Sequence, residues 1–218
     1  MINNLTMIDF IAKAQENIET FDFGKVKLFD DDLPLLGSIN LTVDGFDFDK
    51  YKNLINKLTS IQPNQLYTPQ DKLHITVLPF IKPEYFEKMV DSEIDNIFSK
   101  YKISFEIICA DFRNYSTMMI TIKPKFDLAK LRQELRDFMD PDKNNWTLYT
   151  NGFEEIGHIN TVRYLEIPKV ELLKSAFKQV NSDFGIIKPQ KVQIIKLSSR
   201  TLVDGKFSIE KEIKLTKH

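Results

Sequence analysis

The chain is short of the residues on which several common kinds of site depend. It has 218 residues but one cysteine, Cys109, so we expect neither an internal disulfide nor a cysteine-rich zinc site. It has three histidines, His74, His158 and His218, and any imidazole chemistry must use them. No run of about 18 apolar residues is present, which predicts no membrane-spanning helix.

The chain also lacks a strong excess of charge of either sign. Lysine and arginine number 30 against 31 for aspartate and glutamate, so the net charge is −1. Proteins that bind long duplex nucleic acid usually carry a basic excess, so we expect no such partner, whereas a small phosphorylated ligand is compatible with this charge. The N-terminus has no basic stretch followed by an apolar block, which argues against a secretory signal and predicts a cytoplasmic protein.

What is present is the composition of a folded α+β protein, in which the order of predicted elements repeats. Hydrophobic residues make up 42% of the chain and charged residues 28%. Apolar periodicity predicts a helix over residues 4–20. Beyond it, strands are predicted at 35–43, 72–80, 103–110, 117–122, 156–167, 192–198 and 207–215, and helices at 47–61, 83–100, 127–139 and 168–180. We interpret these elements as two copies of strand, helix, histidine-bearing strand, helix and strand.

Each of the two histidine-bearing strands combines a histidine with a small polar residue on one face. Residues two apart in a strand share a face, so His74 lies beside Thr76, and His158 lies beside Asn160. The alternate residues of the first strand are apolar and are predicted to be core. If a pseudo-twofold axis relates the two copies, both imidazoles face a central cleft.

Two imidazoles that face one site can catalyse the cleavage of a phosphodiester bond. Because histidine has a pKa of about 6.5, one ring can be neutral and accept a proton from water or a hydroxyl, while the other is protonated and donates to the leaving oxygen. Thr76 and Asn160 can donate hydrogen bonds to the non-bridging oxygens. This chemistry needs no metal, and no carboxylate cluster adjoins either histidine in the sequence, so we expect no metal and no cofactor.

The paired motifs HITV at 74–77 and HINT at 158–161 resemble those of the 2H phosphoesterase superfamily, which includes the 2′-5′ RNA ligase-like and cyclic phosphodiesterase proteins. The resemblance covers residues 35–215. It implies a single bilobal α+β domain over 1–218, with duplicated antiparallel sheets, outer helices and a central cleft. Residues 1–33 would be a helical extension and 34–218 the 2H phosphoesterase-like core.

The resemblance also implies an activity and assigns residues to it. The expected enzyme is a metal-independent phosphodiesterase for 2′,3′-cyclic phosphates or 2′-5′ bonds of RNA ends or small nucleotides. His74 and His158 would be the catalytic acid and base, in an order that the sequence leaves open. Thr76 would bind the substrate phosphate, and Arg163 matches an arginine often found five residues after the second family histidine.

The second motif departs from the family pattern at Asn160, where threonine or serine is usual. Asparagine still donates through its amide, so we expect Asn160 to bind phosphate with altered geometry. In a regular strand Arg163 would face away from His158, which makes it a weaker candidate for substrate binding. Tyr164 has the same parity as His158, which suggests that it stacks on a base, although core packing is an equal alternative.

Two other readings remain open at this point. The same cleft is compatible with a binding module that holds a nucleotide or an RNA end without turning it over, and Asn160 is the feature that favours this alternative. The second alternative is an enzyme that hydrolyses a small cyclic nucleotide signal or 2′-5′ oligoadenylate. The sequence decides neither the direction of the reaction, hydrolysis or ligation, nor the oligomeric state.

Overall fold

Two antiparallel sheets, with helices packed against them, form the described part of the chain. The computed structural model describes residues 16, 18–28, 35–111, 115, 117–141, 154–179, 186–198 and 207–215. The strands are β1 (Leu36–Leu41), β2 (Leu66–Tyr67), β3 (Ile75–Ile81), β4 (Phe105–Asp111), β5 (Thr117–Pro124), β6 (Gly157–Arg163), β7 (Ile186–Ile187), β8 (Lys191–Leu197) and β9 (Phe207–Lys214). The α-helices are α1 (Phe48–Ile61), α2 (Phe86–Met89), α3 (Glu93–Ser99), α4 (Leu128–Met139) and α5 (Val170–Gln179), and short 3₁₀ turns occupy Phe23–Lys25, Gln70–Lys72 and Pro83–Tyr85.

The strands divide between the sheets in a way that exchanges one strand between the two copies. The first sheet has the order β3-β1-β8-β9 and the second the order β2-β6-β5-β4-β7. The first copy runs β1, α1, β3, α2, α3 and β4, and the second runs β5, α4, β6, α5 and β8. Because β4 pairs with β5 and β8 pairs with β1, the last strand of each copy completes the sheet of the other. The predicted α+β fold with two duplicated antiparallel sheets is therefore confirmed.

The main helix of each copy begins in the same way. The Asp47 side chain accepts a hydrogen bond from the backbone N–H of Lys50 at 3.0 Å, and the Asp127 side chain accepts one from Lys130 at 2.8 Å. Both aspartates are extended, with φ and ψ of −77° and 90° at Asp47 and −79° and 86° at Asp127. Such an N-cap stabilises a helix by about 1 kcal/mol, so the shared capping supports the duplication that element order predicts.

The core lies where these helices cover the apolar faces of the sheets. Ile39, Leu41 and Ile75 of the first sheet are fully buried, as are Leu58 of α1 and Leu135 of α4. Burial of one such side chain contributes roughly 1.5–3 kcal/mol, so these faces hold helices and sheets together and leave the opposite faces for polar residues.

Several predicted elements have different limits in the structure, and the strand predicted over 156–167 ends at Arg163. The helix predicted over 83–100 is a 3₁₀ turn followed by two short helices, α2 and α3. The chain turns between them because the Asp91 side chain accepts a hydrogen bond from the backbone N–H of Glu93 at 2.8 Å, which competes with helix continuation. The strand predicted from residue 72 begins only at Ile75, because the 3₁₀ turn Gln70–Lys72 precedes it. The two-residue strands β2 and β7 were too short to be predicted.

Most of the predicted N-terminal helix lies outside the described residues, but the end of that region is packed. The Phe21 ring lies 5.1 Å from that of Tyr115, and the Lys27 backbone N–H donates to the Tyr115 carbonyl oxygen at 3.0 Å. Phe21 and Lys27 therefore both contact Tyr115, which lies two residues before β5. Of the helices in the described ranges, none has both the length and the apolar character needed to cross a membrane.

Candidate active site

The two histidine-bearing segments meet where the two sheets meet. Strand β3 of the first sheet contacts β6 of the second. One small pocket between them is lined by Thr76 and Pro79 from β3 and by His158 from β6. Each motif therefore contributes at least one residue to this pocket, Thr76 from the first and His158 from the second.

His74 lies immediately before β3 and is held by the turn that precedes it. Its ring is half-buried, and Nδ1 lies 2.9 Å from the carbonyl oxygen of Lys72. A carbonyl oxygen only accepts hydrogen bonds, so Nδ1 carries the hydrogen and donates it. This bond sets the orientation of the ring and leaves Nε2 as the nitrogen available for proton transfer.

His158 lies within β6 and is also half-buried. It pairs with Thr121 of β5, and its neighbour Gly157 faces the core. A Cβ atom at Gly157 would lie 2.7 Å from Cγ1 of Ile122, so only glycine permits this close approach of β5 and β6.

Both strands carry a β-bulge at the third residue after the histidine. In β3, Thr76 pairs with Asn40 and Leu78 with Ile39, so Val77 has no direct partner in β1. In β6, Asn160 pairs with Met119 and Val162 with Met118, so Thr161 is the extra residue. The same irregularity at the same place in each motif is further evidence for the duplication.

The bulge in β6 reverses the alternation of the residues that follow it. Arg163 is half-buried and shares the face of His158 and Asn160, although a regular strand would place it on the other face. Contrary to the expectation for a regular strand, Arg163 therefore does not face away from His158. By the same shift Tyr164 enters the core with 0% of its surface exposed, so the prediction that it stacks on a base is corrected.

Thr76 and Asn160 occupy the positions predicted for them, next to the histidines on half-buried faces. Among the described residues, the side-chain oxygen of Asn160 is buried and has no hydrogen-bond partner. Thr161 does not replace Asn160, because its hydroxyl donates to the Met118 carbonyl oxygen at 3.0 Å and its side chain is buried. The Thr161 hydroxyl is therefore committed to the backbone, whereas no described hydrogen bond occupies the Asn160 oxygen.

The environment of both rings favours the neutral imidazole. Burial lowers the pKa of His74 from its ordinary value of 6.5, the hydrogen bond to Lys72 opposes that change, and the positive charge of Arg163 adds to it. For His158, burial is again the largest cause, and the charges of Arg132, His74 and Arg163 add to it and lower the pKa to about 3. His74 is among the groups that lower the pKa of His158, and Arg163 lowers the pKa of both rings, which is consistent with the three side chains lying near one another.

Comparison with known proteins identifies the fold. No family model and no curated protein sequence matches this chain. A crystal structure of a phosphoesterase has a TM-score of 0.51 and 13% sequence identity, over 84% of this chain and 100% of its own. The chain has the fold of that phosphoesterase. The protein TT0787 of Thermus thermophilus also has a TM-score of 0.51, at 10% identity over 84% of this chain and 100% of its own.

One residue of this phosphoesterase fold escaped the sequence analysis. Arg132 of α4 is 6% exposed, and its guanidinium donates to backbone carbonyl oxygens of Thr76 and Val77 on β3 and of Glu154 and Ile156 before β6. The sequence carries a weak signal for it, because an arginine stands four residues after Leu128 on the apolar stripe of α4. Periodicity alone does not say what a buried arginine would bind.

The described ranges contain no group of three or more His, Cys, Asp or Glu side chains arranged to hold a metal ion. The two motifs contribute two imidazoles, a hydroxyl and an amide, and Arg163 contributes a guanidinium. Such a set can transfer protons and donate hydrogen bonds to an anion.

Proposed function

We propose that the protein is a metal-independent phosphodiesterase that acts on 2′,3′-cyclic phosphates or 2′-5′ phosphodiester bonds of RNA ends or small nucleotides. The observation that supports this proposal is that two half-buried histidines, one directly before β3 and one in β6, precede matching bulges, and that Arg163 affects the pKa of both rings. Two imidazoles supply both proton transfers of a phosphodiester hydrolysis, and the arginine supplies charge for the phosphate.

The two histidines have different surroundings, which supports different roles. His158 is beside two guanidinium groups, Arg132 and Arg163, which hold its pKa low and favour a neutral base. His74 donates from Nδ1 to a carbonyl oxygen, a bond that favours the protonated ring. We therefore assign His158 as the base and His74 as the acid.

The reaction then proceeds in the following way for a 2′,3′-cyclic phosphate. Neutral His158 accepts a proton from water as the water oxygen bonds to phosphorus. The bond from phosphorus to one ribose oxygen breaks, and that oxygen takes the proton from Nε2 of His74. Arg163, Thr76 and Asn160 donate hydrogen bonds to the non-bridging oxygens, where negative charge grows in the transition state.

The test is a substrate screen with purified protein. We expect the wild-type chain to hydrolyse 2′,3′-cyclic phosphates or 2′-5′ linked oligonucleotides in the presence of EDTA, and His74→Ala to lose this turnover. Cyclic dinucleotides belong in the same screen, since they test for a signalling substrate. Dependence on an added divalent metal, or equal activity in the His74→Ala variant, would contradict the mechanism.

A cleft that binds without turnover is the outcome that would replace this proposal. Calorimetry with a 2′,3′-cyclic nucleotide, followed by chromatography of the recovered ligand, separates the two. Binding with the ligand recovered unchanged would indicate the non-catalytic module, whereas recovery of the opened monophosphate would indicate the enzyme.

A further inference from the structure

Arg132 ties together the two segments that carry the histidines. Its Nε donates to the carbonyl oxygen of Val77 at 3.0 Å, and Nη2 donates to that of Thr76 at 3.1 Å. Its Nη1 donates to the carbonyl oxygens of Glu154 at 2.8 Å and Ile156 at 3.0 Å. One side chain of α4 therefore bonds to the first sheet and to the start of the strand that carries His158.

The acceptors of these hydrogen bonds lie next to the proposed chemistry. Thr76 is the proposed phosphate ligand of β3, and Val77 is the unpaired residue of its bulge. Ile156 lies two residues before His158. A guanidinium is planar and presents its donors in a rigid fork, so four carbonyl oxygens bound to it have fixed relative positions.

We propose that Arg132 is a positioning residue, which fixes the separation of β3 from the start of β6 and places a constant positive charge beside His158. The inference rests on the proposed function, because it concerns the geometry of that catalytic pair. It assigns to Arg132 no contact with substrate. Arg132 acts through the two strands and through the protonation of His158.

The charge effect involves a small set of groups around His158. Arg132 on α4, Arg163 on β6 and His74 before β3 all lower its pKa, in addition to burial. Removing the charge of Arg132 should therefore raise the pKa of His158 and leave the other contributions in place.

Arg136 provides a matched control on the same helix. It lies one turn further along α4 and lines the same small pocket. It forms a bidentate ion pair with the carboxylate of Glu154, at 2.9 and 2.8 Å, so it also bonds to the segment before β6. No described hydrogen bond joins Arg136 to β3, and its charge is not among those that lower the pKa of His158.

The experiment compares Arg132→Lys, Arg132→Met and Arg136→Gln in the full chain. Lysine keeps the charge but not the fork, and methionine keeps neither. For each variant we would measure kcat and KM on 2′,3′-cyclic AMP, the His158 titration by NMR with a His158→Ala spectrum for assignment, and thermal unfolding.

We expect Arg132→Lys to lower kcat roughly 10- to 100-fold with little change in KM, because small displacements of catalytic groups have effects of that size. Its His158 titration should stay near that of the wild type. Arg132→Met should lower kcat further and shift the His158 titration to higher pH. Arg136→Gln should lower thermal stability, leave the His158 titration unchanged and lower kcat less than either Arg132 variant does.

A purely structural role gives a different result. If both Arg132 variants lose stability but keep the wild-type kcat and His158 titration, the inference is wrong. If Arg132→Met does not fold, the kcat of Arg132→Lys decides the positioning claim. If the wild type hydrolyses none of the substrates, the proposed function fails separately, and the histidine titration in the Met variant still decides the effect of the Arg132 charge.

Discussion

The strands β3 and β6 offer a comparison within one molecule. A histidine stands directly before β3 and within β6. In both cases a polar residue follows two positions later, and the unpaired residue of a β-bulge follows three positions later. They differ after five residues, where β3 has Pro79 and β6 has Arg163, both half-buried. The two copies thus share a histidine and the backbone geometry that follows it but differ at the position where β6 has a cation.

The helices of the two copies differ in the same direction. Lys52 of α1 and Arg132 of α4 each stand five residues after the N-cap aspartate. Lys52 is exposed, whereas Arg132 is buried against the histidine-bearing segments. The second copy therefore supplies the two described arginines near the histidines, Arg132 and Arg163. The first copy supplies Thr76 and His74, whose ring is oriented by the carbonyl oxygen of Lys72.

The largest expected effect is the loss of activity on replacing either histidine, the residue that the two copies share. Replacing His74 or His158 by alanine should lower kcat roughly 10²- to 10⁴-fold in each case, because each removes one proton transfer. Steady-state kinetics on a 2′,3′-cyclic nucleotide measures this. The control is His218→Ala, the remaining histidine of the chain, which should keep wild-type activity. A large loss in only one of the two variants would show that the copies do not contribute as a pair.

The next largest effect is expected at Arg163, where the first copy has Pro79 instead. Arg163→Ala should lower kcat about 10²-fold, as expected on removal of a donor that stabilises transition-state charge, and Arg163→Lys should restore only part of it. Pro79→Ala, at the corresponding position of β3, should leave kcat unchanged. Equal losses at the two positions would mean that the bulges matter and the guanidinium does not.

The pH dependence follows from the direction of both pKa shifts. Both histidines have pKa values below 6.5 in the free protein. The rate needs one protonated ring, so kcat/KM should reach its maximum below pH 6.5 and fall above it, while a bound phosphate should move the optimum of kcat to higher pH. Rate profiles over pH 4–9 measure both quantities. A kcat/KM maximum above pH 7 would contradict the neutral rings.

The same shifts predict how stability depends on acid. Unfolded histidines have a pKa near 6.5 and bind protons more readily than the folded protein does. The free energy of unfolding should therefore decrease as the pH falls below about 6.5 and continue to decrease towards the folded-state pKa values. The decrease should be smaller in His158→Ala than in the wild type, as urea unfolding at pH 7 and pH 5 would show.

A smaller effect is expected when the second motif is made like the first. Asn160→Thr should change kcat/KM by less than about tenfold, because both side chains donate one hydrogen bond to a phosphate oxygen. It should alter the ratio of rates on 2′,3′-cyclic and 2′-5′ substrates, since the shorter side chain holds the phosphate differently. An unchanged ratio would indicate that Asn160 does not contact the substrate.

The smallest effect concerns Tyr164, the neighbour that the bulge sends into the core. Within the described residues its buried hydroxyl has no hydrogen-bond partner. Tyr164→Phe should leave kcat unchanged and raise the free energy of unfolding by up to about 1 kcal/mol, because an unsatisfied buried polar group is removed. Chemical denaturation measures this, and a loss of activity would show that Tyr164 serves the site after all.

Sequence periodicity was sufficient for the parts of the molecule that depend on local physics. The Asp47 and Asp127 caps, the apolar stripes of the helices and the alternation around His74 are properties of a few adjacent residues. The paired motifs indicated the site for the same reason. The broken helix at 83–100 shows the limit of this approach, since one aspartate side chain redirected the backbone.

The amino-acid sequence by itself determined the two motifs, their polar faces and the repeat of elements, because each is encoded over short stretches of chain. Tertiary structure alone decided which strand completes which sheet, where the bulges fall, and hence that Arg163 faces the histidines while Tyr164 is buried. It also decided that Arg132 joins the two histidine-bearing segments. These features depend on contacts between residues far apart in the chain, because a β-bulge is defined by the pairing of two strands and cannot be identified from the pattern of one strand alone.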